Sequence, residues 1–435
     1  MIKKIDVPWG TDTVQIAIPD SWNISGILRP MDIPPVSDYG AEMDRAVSQP
    51  VGSASLPDLV RSSKKIAIVI DDSSRPTPVH LIFPHVLNFL YSNGVKSDQI
   101  TLVPAIGLHR GLDEKELNSR IGGVLSGLRW ENPDCDKEDT LTYLGMTSRG
   151  TPVWINQSVS EADLILSIGC IEPHIIASFG GGLKNLVPGV AGRKTIAHNH
   201  SLNCSPSTFN MVGQPIENNP MRLDLEEAAL MLKSKIFIIN AVLNYQKKIV
   251  KIVAGDGIKA HREGVLVSKT LYGVNLDKPV DIVITDSHPM DQDLRQGVKA
   301  LANTVRAVKK GGYLITVVRA EEGVGVFGLA NRRLPLSKKA LRILAPLLVK
   351  IVPKAKLKNM GEEDRFFLYF ALQAMRHANL LMHAPTIPDK TRENLPFVTF
   401  VNNLSEAIDA AKAKYPEKAN LVVFPYGGIT YPDFS

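Results

Sequence analysis

From about residue 64 onward, short runs of β-branched and other apolar residues alternate with longer segments of helical spacing. Three uninterrupted apolar runs are typical of strands buried on both faces of a parallel sheet: KKIAIVI (64–70), ITLVPAIG (100–107) and ADLILSIG (162–169). Between the first two, HLIFPHVLNFLYSNG (80–94) has helical spacing and ends in Asn-Gly, a typical helix stop. This alternation predicts an α/β fold with parallel-rich sheets flanked by helices.

The alternation continues toward the end of the chain. We predict further strands and one helix, in chain order: strands KIFIINAVLN (235–244), KKIVKIVAG (247–255) and DIVITDS (281–287), helix DLRQGVKALANTVRAVK (293–309), and strands GGYLITVVR (311–319) and NLVVFPYGG (420–428). Gly311 and Gly312 are expected where the helix ends and the chain turns back. The stretch before residue 64 is rich in Pro, Asp and Ser and predicts irregular surface chain, with one edge strand at VQIAI (14–18).

At 435 residues the chain is about three times as long as a usual domain, so we expect two domains. The first is expected over residues 1–273, with a tail at 405–435 that returns to pack on it. The second is expected over 275–400. We expect the active site in the cleft between the two domains, because ligands of α/β proteins bind beyond the carboxyl ends of parallel strands.

Charge and composition argue against a nucleic-acid-binding protein. Lys and Arg total 50 against 44 Asp and Glu, a net charge of +6 that is a mild bias over this length. Aromatic residues make up only 6% of the chain, which leaves few stacking platforms for single-stranded nucleic acid. The mild positive charge suits an anionic small molecule instead.

We expect a cytoplasmic protein without a membrane partner. The three cysteines, Cys135, Cys170 and Cys204, are widely spaced and predict no disulfide framework, and the N-terminus lacks the apolar run of a signal peptide. No stretch of about 18 uncharged apolar residues occurs. Segment 338–358 is basic and amphipathic, and a helix packed on its own domain is favoured over a membrane-surface helix.

Polar clusters follow three of the predicted strands. DDSSRPTP (71–78) comes after the first, LHRG (108–111) after the second and CIEPH (170–174) after the third. Because the carboxyl ends of parallel strands meet at one edge of the sheet, these clusters predict a convergent pocket.

A glycine-rich run lies between residues 172 and 200. Gly180, Gly181 and Gly182 precede Lys184, which predicts a loop whose backbone N–H groups could face a phosphate, with a plain surface turn as the alternative. It is not a Walker loop, because that motif needs Gly directly before the Lys and Ser or Thr directly after it.

Histidines supply the candidate metal ligands and acid/base groups. His198 and His200 form an H-x-H pair whose side chains would share one side of an extended segment, so that one or both could bind a metal. His109 and His174 follow different strands, and either could act as a general base near neutral pH. Taken singly, each histidine is more often a buried, hydrogen-bonded side chain.

Together, DDSSRPTP, the Gly-x-His-Arg element at 107–110 and EPH…GG…K…PGVAG…TI…NH resemble the nickel-dependent lactate racemase family, over roughly residues 64–320. The resemblance implies a racemase or epimerase of 2-hydroxy acids that moves a hydride to a tethered nickel-pincer nucleotide (nickel pyridinium-3,5-bisthiocarboxylate mononucleotide). It also implies partner proteins that make this cofactor, without which the expressed protein would lack it.

The resemblance assigns roles residue by residue. Lys184 matches the lysine that tethers the cofactor and His200 the nickel ligand, while His109 and His174 match the two acid/base histidines. The remaining matches are the cofactor-holding and carboxylate-orienting segment Asp72, Ser73, Ser74 and Arg75, and the Gln-x-x-Lys pair Gln296 and Lys299, which closes the site from the second domain.

One position departs from the pattern expected of lactate-specific members. Arg295 stands where an aromatic residue is expected before the Gln of Gln-x-x-Lys, and NMGEEDRFF (359–367) offers no matching tryptophan. A cation in place of an apolar wall favours a substrate with a second carboxylate or several hydroxyls, such as a malate-like, hydroxyglutarate-like or sugar acid. We therefore expect Arg295 in substrate binding, beside Arg75, Gln296 and Lys299.

Two other classes of function stay open from the residues alone. An enzyme with a diffusible cofactor, such as an NAD-dependent 2-hydroxyacid oxidoreductase or a methyltransferase built on 275–320, is disfavoured because no strand is followed by Gly-x-Gly-x-x-Gly. A non-catalytic nucleotide-binding module is disfavoured because simple binding needs no pair of acid/base histidines.

Overall fold

The computed structural model describes residues 3–353 and 360–434. The strands, in chain order, are β1 (Lys3–Trp9), β2 (Asp12–Ile18), β3 (Asn23–Ile27), β4 (Ile66–Asp71), β5 (Ile100–Ala105), β6 (Arg129–Trp130), β7 (Leu141–Met146), β8 (Pro152–Asn156), β9 (Leu164–Cys170), β10 (Pro173–His174), β11 (Ser178–Phe179), β12 (Lys235–Leu243), β13 (Ile249–Gly255), β14 (Gly273–Asn275), β15 (Val280–Asp286), β16 (Val308–Val317), β17 (Asn379–His383), β18 (Thr399–Val401), β19 (Asn420–Phe424) and β20 (Tyr431–Asp433).

The α-helices are α1 (Tyr39–Ser48), α2 (Leu56–Arg61), α3 (Val79–Ser92), α4 (Glu114–Arg120), α5 (Gln157–Ser160), α6 (Arg193–Ser201), α7 (Pro220–Ala229), α8 (Lys259–Tyr272), α9 (Leu294–Thr304), α10 (Lys338–Ile351), α11 (Glu362–His377), α12 (Asp389–Asn394) and α13 (Leu404–Lys414). A short 3-10 helix, Gly182–Asn185, carries Lys184. The predicted α/β class with parallel-rich sheets and flanking helices is confirmed.

The chain divides into two compact units. The N-terminal unit comprises Asp32–Leu202 and Gln214–Leu271, and the C-terminal unit comprises Met1–Met31, Asn203–Gly213 and Tyr272–Ser435. Each unit contains a six-stranded sheet, ordered β13-β12-β9-β4-β5-β6 in the first and β18-β17-β16-β15-β19-β3 in the second. All neighbouring strands in these sheets run parallel except the antiparallel pair β12–β13.

Two expectations about the division of the chain are wrong. The tail at 405–435 belongs to the C-terminal unit, because β19 pairs in parallel with β15 along residues 421–424. The first 31 residues belong there too, since β3 lies against β19. The start of the chain is also more regular than predicted: β1 and β2 form a hairpin whose alternate residues, among them Ile5 and Ile16, are buried.

The core of the N-terminal unit explains why its strands are so apolar. Every residue of β4 and β9 is buried, as expected for central strands covered on both faces. Helix α3 covers one face with a helical stripe of buried side chains: Val79, Ile82, Phe83, Val86, Leu87 and Leu90. The packing on both faces therefore fixes the position of β4 and β9, and with them the start of the loops that follow these strands.

The C-terminal unit departs from prediction at one glycine pair. Helix α9 ends at Thr304, and β16 begins at Val308, so Gly311 and Gly312 lie within the strand rather than at the helix end. Gly311 has a φ of 79°, and the pairing of β16 with β15 shifts register near this point. The pair therefore accommodates a strand irregularity rather than a helix stop.

Candidate active site

The carboxyl ends of three adjacent parallel strands, β9, β4 and β5, bring the predicted polar clusters to one edge of the N-terminal sheet. Asp72 directly follows β4 and is 6% exposed. Its Oδ2 accepts a hydrogen bond of 2.5 Å from the Nδ1 of His109, which lies in the loop after β5. The other oxygen, Oδ1, accepts from the hydroxyl of Ser74 at 2.6 Å and from its backbone N–H at 3.1 Å.

These bonds keep Asp72 ionised. Burial by itself raises the pKa of Asp72, but the hydrogen bond and positive charge of His109 and the hydroxyl of Ser74 outweigh it and lower the pKa to about 2. With its Nδ1–H held by a carboxylate, the His109 ring is fixed in orientation and its Nε2 is the basic nitrogen of the neutral form. Ser73, in contrast, is exposed.

Arg75 joins the clusters after β4 and β9. Its Nη1 donates to Oε1 of Glu172 at 2.9 Å, and its Nη2 lies 3.2 Å from Nε2 of His174. Burial disfavours the charged guanidinium, but Glu172 and Asp72 outweigh this effect and raise the pKa of Arg75. Arg75 is therefore a permanently charged donor beside His174.

The ring of His174 has N–H donors on both sides. Its Nδ1 accepts from the backbone N–H groups of Ile176 and Ala177, each at 3.2 Å, while Arg75 approaches Nε2. A neutral imidazole has one lone pair, so it can accept at Nδ1 or at Nε2 but not at both. The protonation of His174 therefore depends on whether Arg75 stays against it or turns to another acceptor.

A second ion pair fixes the backbone of the segment after β4. Arg120, on α4, donates to Oδ1 of the buried Asp71 at 2.9 Å and to the backbone carbonyl of Asp72 at 2.8 Å. The hydroxyl of Thr77 donates to Oδ2 of Asp71 at 2.5 Å. Burial raises the pKa of Asp71 to about 6, although Arg120 and Thr77 act in the opposite direction. Sequence reasoning included Glu172 in the cluster CIEPH but missed Arg120, because only the tertiary fold brings α4 to Asp71.

The glycine-rich loop faces the protein interior rather than presenting a phosphate cradle. The N–H of Gly182 donates to Oδ1 of Asn240 at 2.6 Å, and that of Gly180 donates to the carbonyl of Glu172 at 2.7 Å. Both N–H groups are thus used internally, so the phosphate interpretation is wrong for them. Gly181 and Gly182 have φ angles of 72° and 65°, a region that favours glycine.

A buried network under this loop holds its carbonyls. Arg222 donates to the carbonyl of Gly181 at 3.2 Å and to Glu226 at 2.7 Å. The Nδ1 of His261 accepts from Arg262, and its Nε2 lies 2.9 Å from the carbonyl oxygen of Gly180 and 2.8 Å from Nη2 of Arg222. Burial, reinforced by the two arginines, lowers the pKa of His261 well below its usual value, so the ring is neutral. These contacts to the carbonyls of Gly180 and Gly181 hold in place the loop that carries Lys184.

Lys184 has an amine that is readily deprotonated. Burial, followed by the charges of Arg75 and Arg222, lowers its pKa to about 7, and the opposing effects of Glu172 and Asp72 are smaller. A lysine with such a pKa is a nucleophile at neutral pH, which its ordinary pKa near 10 would prevent.

The H-x-H pair lies on a helix, not on the extended segment that was expected. Residues two apart on a helix point in different directions, so His198 and His200 do not share a side. The Nδ1 of His198 lies 2.8 Å from the hydroxyl of Thr151, which in turn donates to the buried Asp224. His198 therefore serves to anchor α6 within the N-terminal unit.

His200 has the orientation of a metal ligand. Its Nδ1 donates to the carbonyl of Ile196 at 2.8 Å, so Nε2 is the nitrogen that carries the lone pair. In the described ranges 3–353 and 360–434, the group of three side chains able to meet around an ion is Asp134, Cys135 and Asp136, and it does not include His200. A metal at His200 would thus take its other ligands from a bound group.

The three predicted residues of the C-terminal unit lie on α9. This helix begins after Asp293, whose side chain caps the N–H of Gln296 at 2.7 Å. Arg295, Gln296 and Lys299 are partly exposed, and their spacing by three and four residues places them on one side of the helix. Their meeting with the N-terminal site stays a prediction.

Comparison with known proteins covers nearly the whole chain. Residues 9–210 match the lactate racemase N-terminal domain, and residues 276–430 match the lactate racemase C-terminal domain. A lactate racemase of Thermoanaerobacterium thermosaccharolyticum is 32% identical over 74% of this chain and 76% of its own length. One from Lactiplantibacillus plantarum is 28% identical over 97% of this chain and 98% of its own.

Solved structures agree with these matches. The structure of the lactate racemase apoprotein from T. thermosaccharolyticum superposes with a TM-score of 0.85, at 27% identity, covering 99% of this chain and all of that one. A Thermotoga maritima protein superposes with a TM-score of 0.65 at 16% identity, over 93% of this chain and 99% of that one, which shows a shared fold alone.

Proposed function

Because the chain belongs to the lactate racemase family and is an isomerase, we propose that it inverts the C2 centre of a 2-hydroxy acid with the help of a tethered nickel-pincer nucleotide. The observation that carries the proposal is the placement of two imidazoles after the two strands that flank β4, His109 after β5 and His174 after β9, with Asp72 bound to the first and Arg75 to the second. Inversion needs a proton acceptor and a proton donor that exchange roles with direction.

The described residues fit the cofactor that this family implies. Lys184 offers a nucleophilic amine, with its pKa lowered to about 7, for a covalent tether. His200 donates from Nδ1 to the carbonyl of Ile196, which leaves Nε2 as the nitrogen that would bind the nickel of a pincer cofactor. When bound, the cofactor supplies an acceptor for the hydrogen on C2 as hydride.

The two histidines handle the proton of the substrate hydroxyl. His109, oriented by Asp72, accepts or returns this proton at Nε2 for one enantiomer, and His174 does so for the other. In this role Asp72 stabilises the imidazolium that forms on His109, since it stays ionised at neutral pH. The Nδ1 of His174 accepts from the backbone N–H groups of Ile176 and Ala177, whereas that of His109 donates to a carboxylate, so the two half-reactions are chemically unequal.

Arg75 binds the substrate carboxylate. Its guanidinium is charged and lies against His174, and a planar guanidinium can hold a carboxylate through two parallel bonds. When Arg75 turns to the substrate, Nε2 of His174 becomes available for proton transfer. Binding of the substrate carboxylate by Arg75 is therefore coupled to the availability of Nε2 of His174 for proton transfer.

Substrates other than lactate are favoured. Arg295 and Lys299 put two cations on one side of α9, beside Gln296, and such a surface suits a second carboxylate or several hydroxyls. We propose a malate-like, hydroxyglutarate-like or sugar acid as substrate. A cytoplasmic location and partner proteins that make the cofactor belong to the same proposal.

The proposal is tested on protein made together with the cofactor biosynthesis proteins. Lactate, malate, 2-hydroxyglutarate and aldonic acids are offered singly, and inversion is followed by chiral chromatography with and without added NAD. Inversion of a diacid or sugar acid without NAD supports the proposal. Inversion of lactate alone contradicts the substrate assignment, and dependence on NAD indicates a nicotinamide oxidoreductase.

The fate of the C2 hydrogen tests the mechanism separately. With substrate deuterated at C2 and turned over in ordinary water, hydride transfer keeps the deuterium in the inverted product. Removal of the hydrogen as a proton exchanges it with solvent. Washout of the label during inversion would therefore contradict the proposed mechanism while leaving the racemase class intact.

A further inference from the structure

Helix α10 of the C-terminal unit carries apolar side chains on two of its sides. The inward stripe, spaced by four residues, is buried: Leu341, Ala345 and Val349. The outward stripe has the same spacing and consists of exposed residues: Ile343 (69% exposed), Leu347 (55%) and Ile351 (46%). Leu344, exposed by 38%, widens this outward stripe. Packing on its own unit therefore uses only part of the apolar surface of the helix.

The same exposed half of α10 is positively charged. At 100° per residue, Lys339, Arg342 and Lys350 lie along one side of the outward apolar stripe, and all three are exposed. The sequence of the helix, KKALRILAPLLVKI, contains no Asp or Glu. Further lysines follow at 354, 356 and 358, outside the described residues.

Four exposed side chains of this size form a patch on the order of a few hundred Å², about the size of the largest apolar patch on a typical monomer, which is often functional. In the described part of the chain no helix is long and apolar enough to cross a bilayer. A helix with an apolar stripe beside a row of cations suits the boundary between lipid headgroups and acyl chains, where it lies in the plane of the surface.

We propose that α10 docks the protein on an anionic lipid surface, with Ile343, Leu347 and Ile351 inserted below the headgroups and the neighbouring cations against lipid phosphates. Charge favours this occupant over a second copy of the chain. A second copy of this helix offers no Asp or Glu to pair with Lys339, Arg342 and Lys350, whereas a layer of anionic headgroups supplies the opposite charge. The proposal does not depend on the catalytic assignment.

The test uses the full chain and sedimentation with vesicles. One set is phosphatidylcholine alone, and the other contains equal parts of phosphatidylcholine and phosphatidylglycerol. Binding to the anionic vesicles alone is expected at an ionic strength of about 0.1 M, with loss at about 1 M, where charge is screened within about 3 Å. Absence of binding to the anionic vesicles at low salt would overturn the proposal.

Variants distinguish vesicle binding through the α10 patch from nonspecific adsorption of the protein. The double variant Ile343→Ser with Leu347→Ser is expected to weaken partitioning by about tenfold or more, because each loses a buried aliphatic side chain. Leu266→Ser, at a position exposed by 65% on α8 of the other unit, is the matched control and should leave binding unchanged. If the double variant instead converts a dimer to a monomer without affecting vesicle binding, the patch is a self-association surface and the proposal fails.

Discussion

His109 donates a hydrogen bond of 2.5 Å from Nδ1 to Oδ2 of Asp72, and the two residues come from loops after neighbouring parallel strands. This contact gives an ionised, buried carboxylate to one of the two candidate acid/base histidines. On the other, His174, the corresponding nitrogen accepts from backbone N–H groups instead. The site therefore contains two histidines whose Nδ1 atoms have different electrostatic surroundings.

Replacing Asp72 tests the role of that contact. Asp72→Asn can present an N–H to the ring and favour the wrong tautomer, so we expect turnover to fall by about 10²–10⁴-fold with little change in KM. Steady-state kinetics in both directions measure this. An equal loss for Asp98→Asn, the same substitution at an exposed carboxylate before β5, would show that the contact between Asp72 and His109 is not the cause.

The depressed pKa of Asp72 also predicts a pH dependence of stability. Its folded pKa of about 2 lies below the ordinary value of 3.8, so its contribution is present above pH 4 and is lost as pH falls from about 4 to 2. A shift of this size corresponds to about 2 kcal/mol. Urea unfolding should show this loss in the wild type and a smaller one in Asp72→Asn; parallel profiles would contradict the assignment.

Asp71, the residue before Asp72, is expected to change the pH dependence of the free energy of unfolding in the opposite direction. Its pKa is raised to about 6, so the folded chain binds a proton more tightly than the unfolded chain does between pH 4 and 6. The free energy of unfolding should therefore fall across that window as pH rises, and Asp71→Asn should remove this fall. Unfolding curves measured at pH 4 and pH 6 check the sign, and an increase attributable to Asp71 would refute it.

Lys184 should react as an amine near neutral pH. Because its pKa is about 7, trace labelling with acetic anhydride should show a midpoint near pH 7 for the Lys184 peptide in protein without cofactor. The exposed Lys418 serves as the internal reference within the same digest. Arg222→Met, which removes one of the cations acting on the amine, should move the midpoint upward, and an unchanged midpoint would contradict the stated cause.

The close packing around Gly182 predicts that one methyl group added at this position strongly lowers the free energy of unfolding. At Gly182 a Cβ would lie 2.6 Å from Nη2 of Arg222 and 2.9 Å from the ring of His261, so Gly182→Ala should destabilise by about 3 kcal/mol or more. Gly94 has a similar positive φ of 82° but open space around it, so Gly94→Ala should cost only about 1–2 kcal/mol. Thermal or urea unfolding measures both, and equal costs would exclude the packing explanation.

The sequence predicted that three polar clusters meet at one edge of the N-terminal sheet, because the carboxyl ends of neighbouring parallel strands lie side by side. The runs at β4, β5 and β9 are apolar throughout, so the residues that follow them had to meet at one edge. His109 and Arg75 could be placed together on that ground alone.

The failures have physical reasons as well. The helix of His200, RKTIAHNHS, has little apolar periodicity, and its fold depends on tertiary bonds such as that between Asn199 and Asp224. Arg222 and His261 carried no local signal, because their partners are carbonyls of a loop about 40 residues or more away in the chain. In the hairpin, β2 was predicted as the strand VQIAI (14–18), but its partner β1 was missed although Ile5 and Val7 flank the polar Asp6.

The central claim is that Lys184 and His200 hold the cofactor between the two histidines, and one measurement tests it most directly. Peptide mapping by mass and nickel analysis are performed on protein made with the cofactor biosynthesis proteins, for the wild type, Lys184→Arg and His200→Ala. We predict added mass on the Lys184 peptide and about one nickel per chain in the wild type, loss of the added mass in Lys184→Arg, and loss of nickel with the mass retained in His200→Ala. An active wild type with an unmodified Lys184 peptide, or full nickel in His200→Ala, would contradict it.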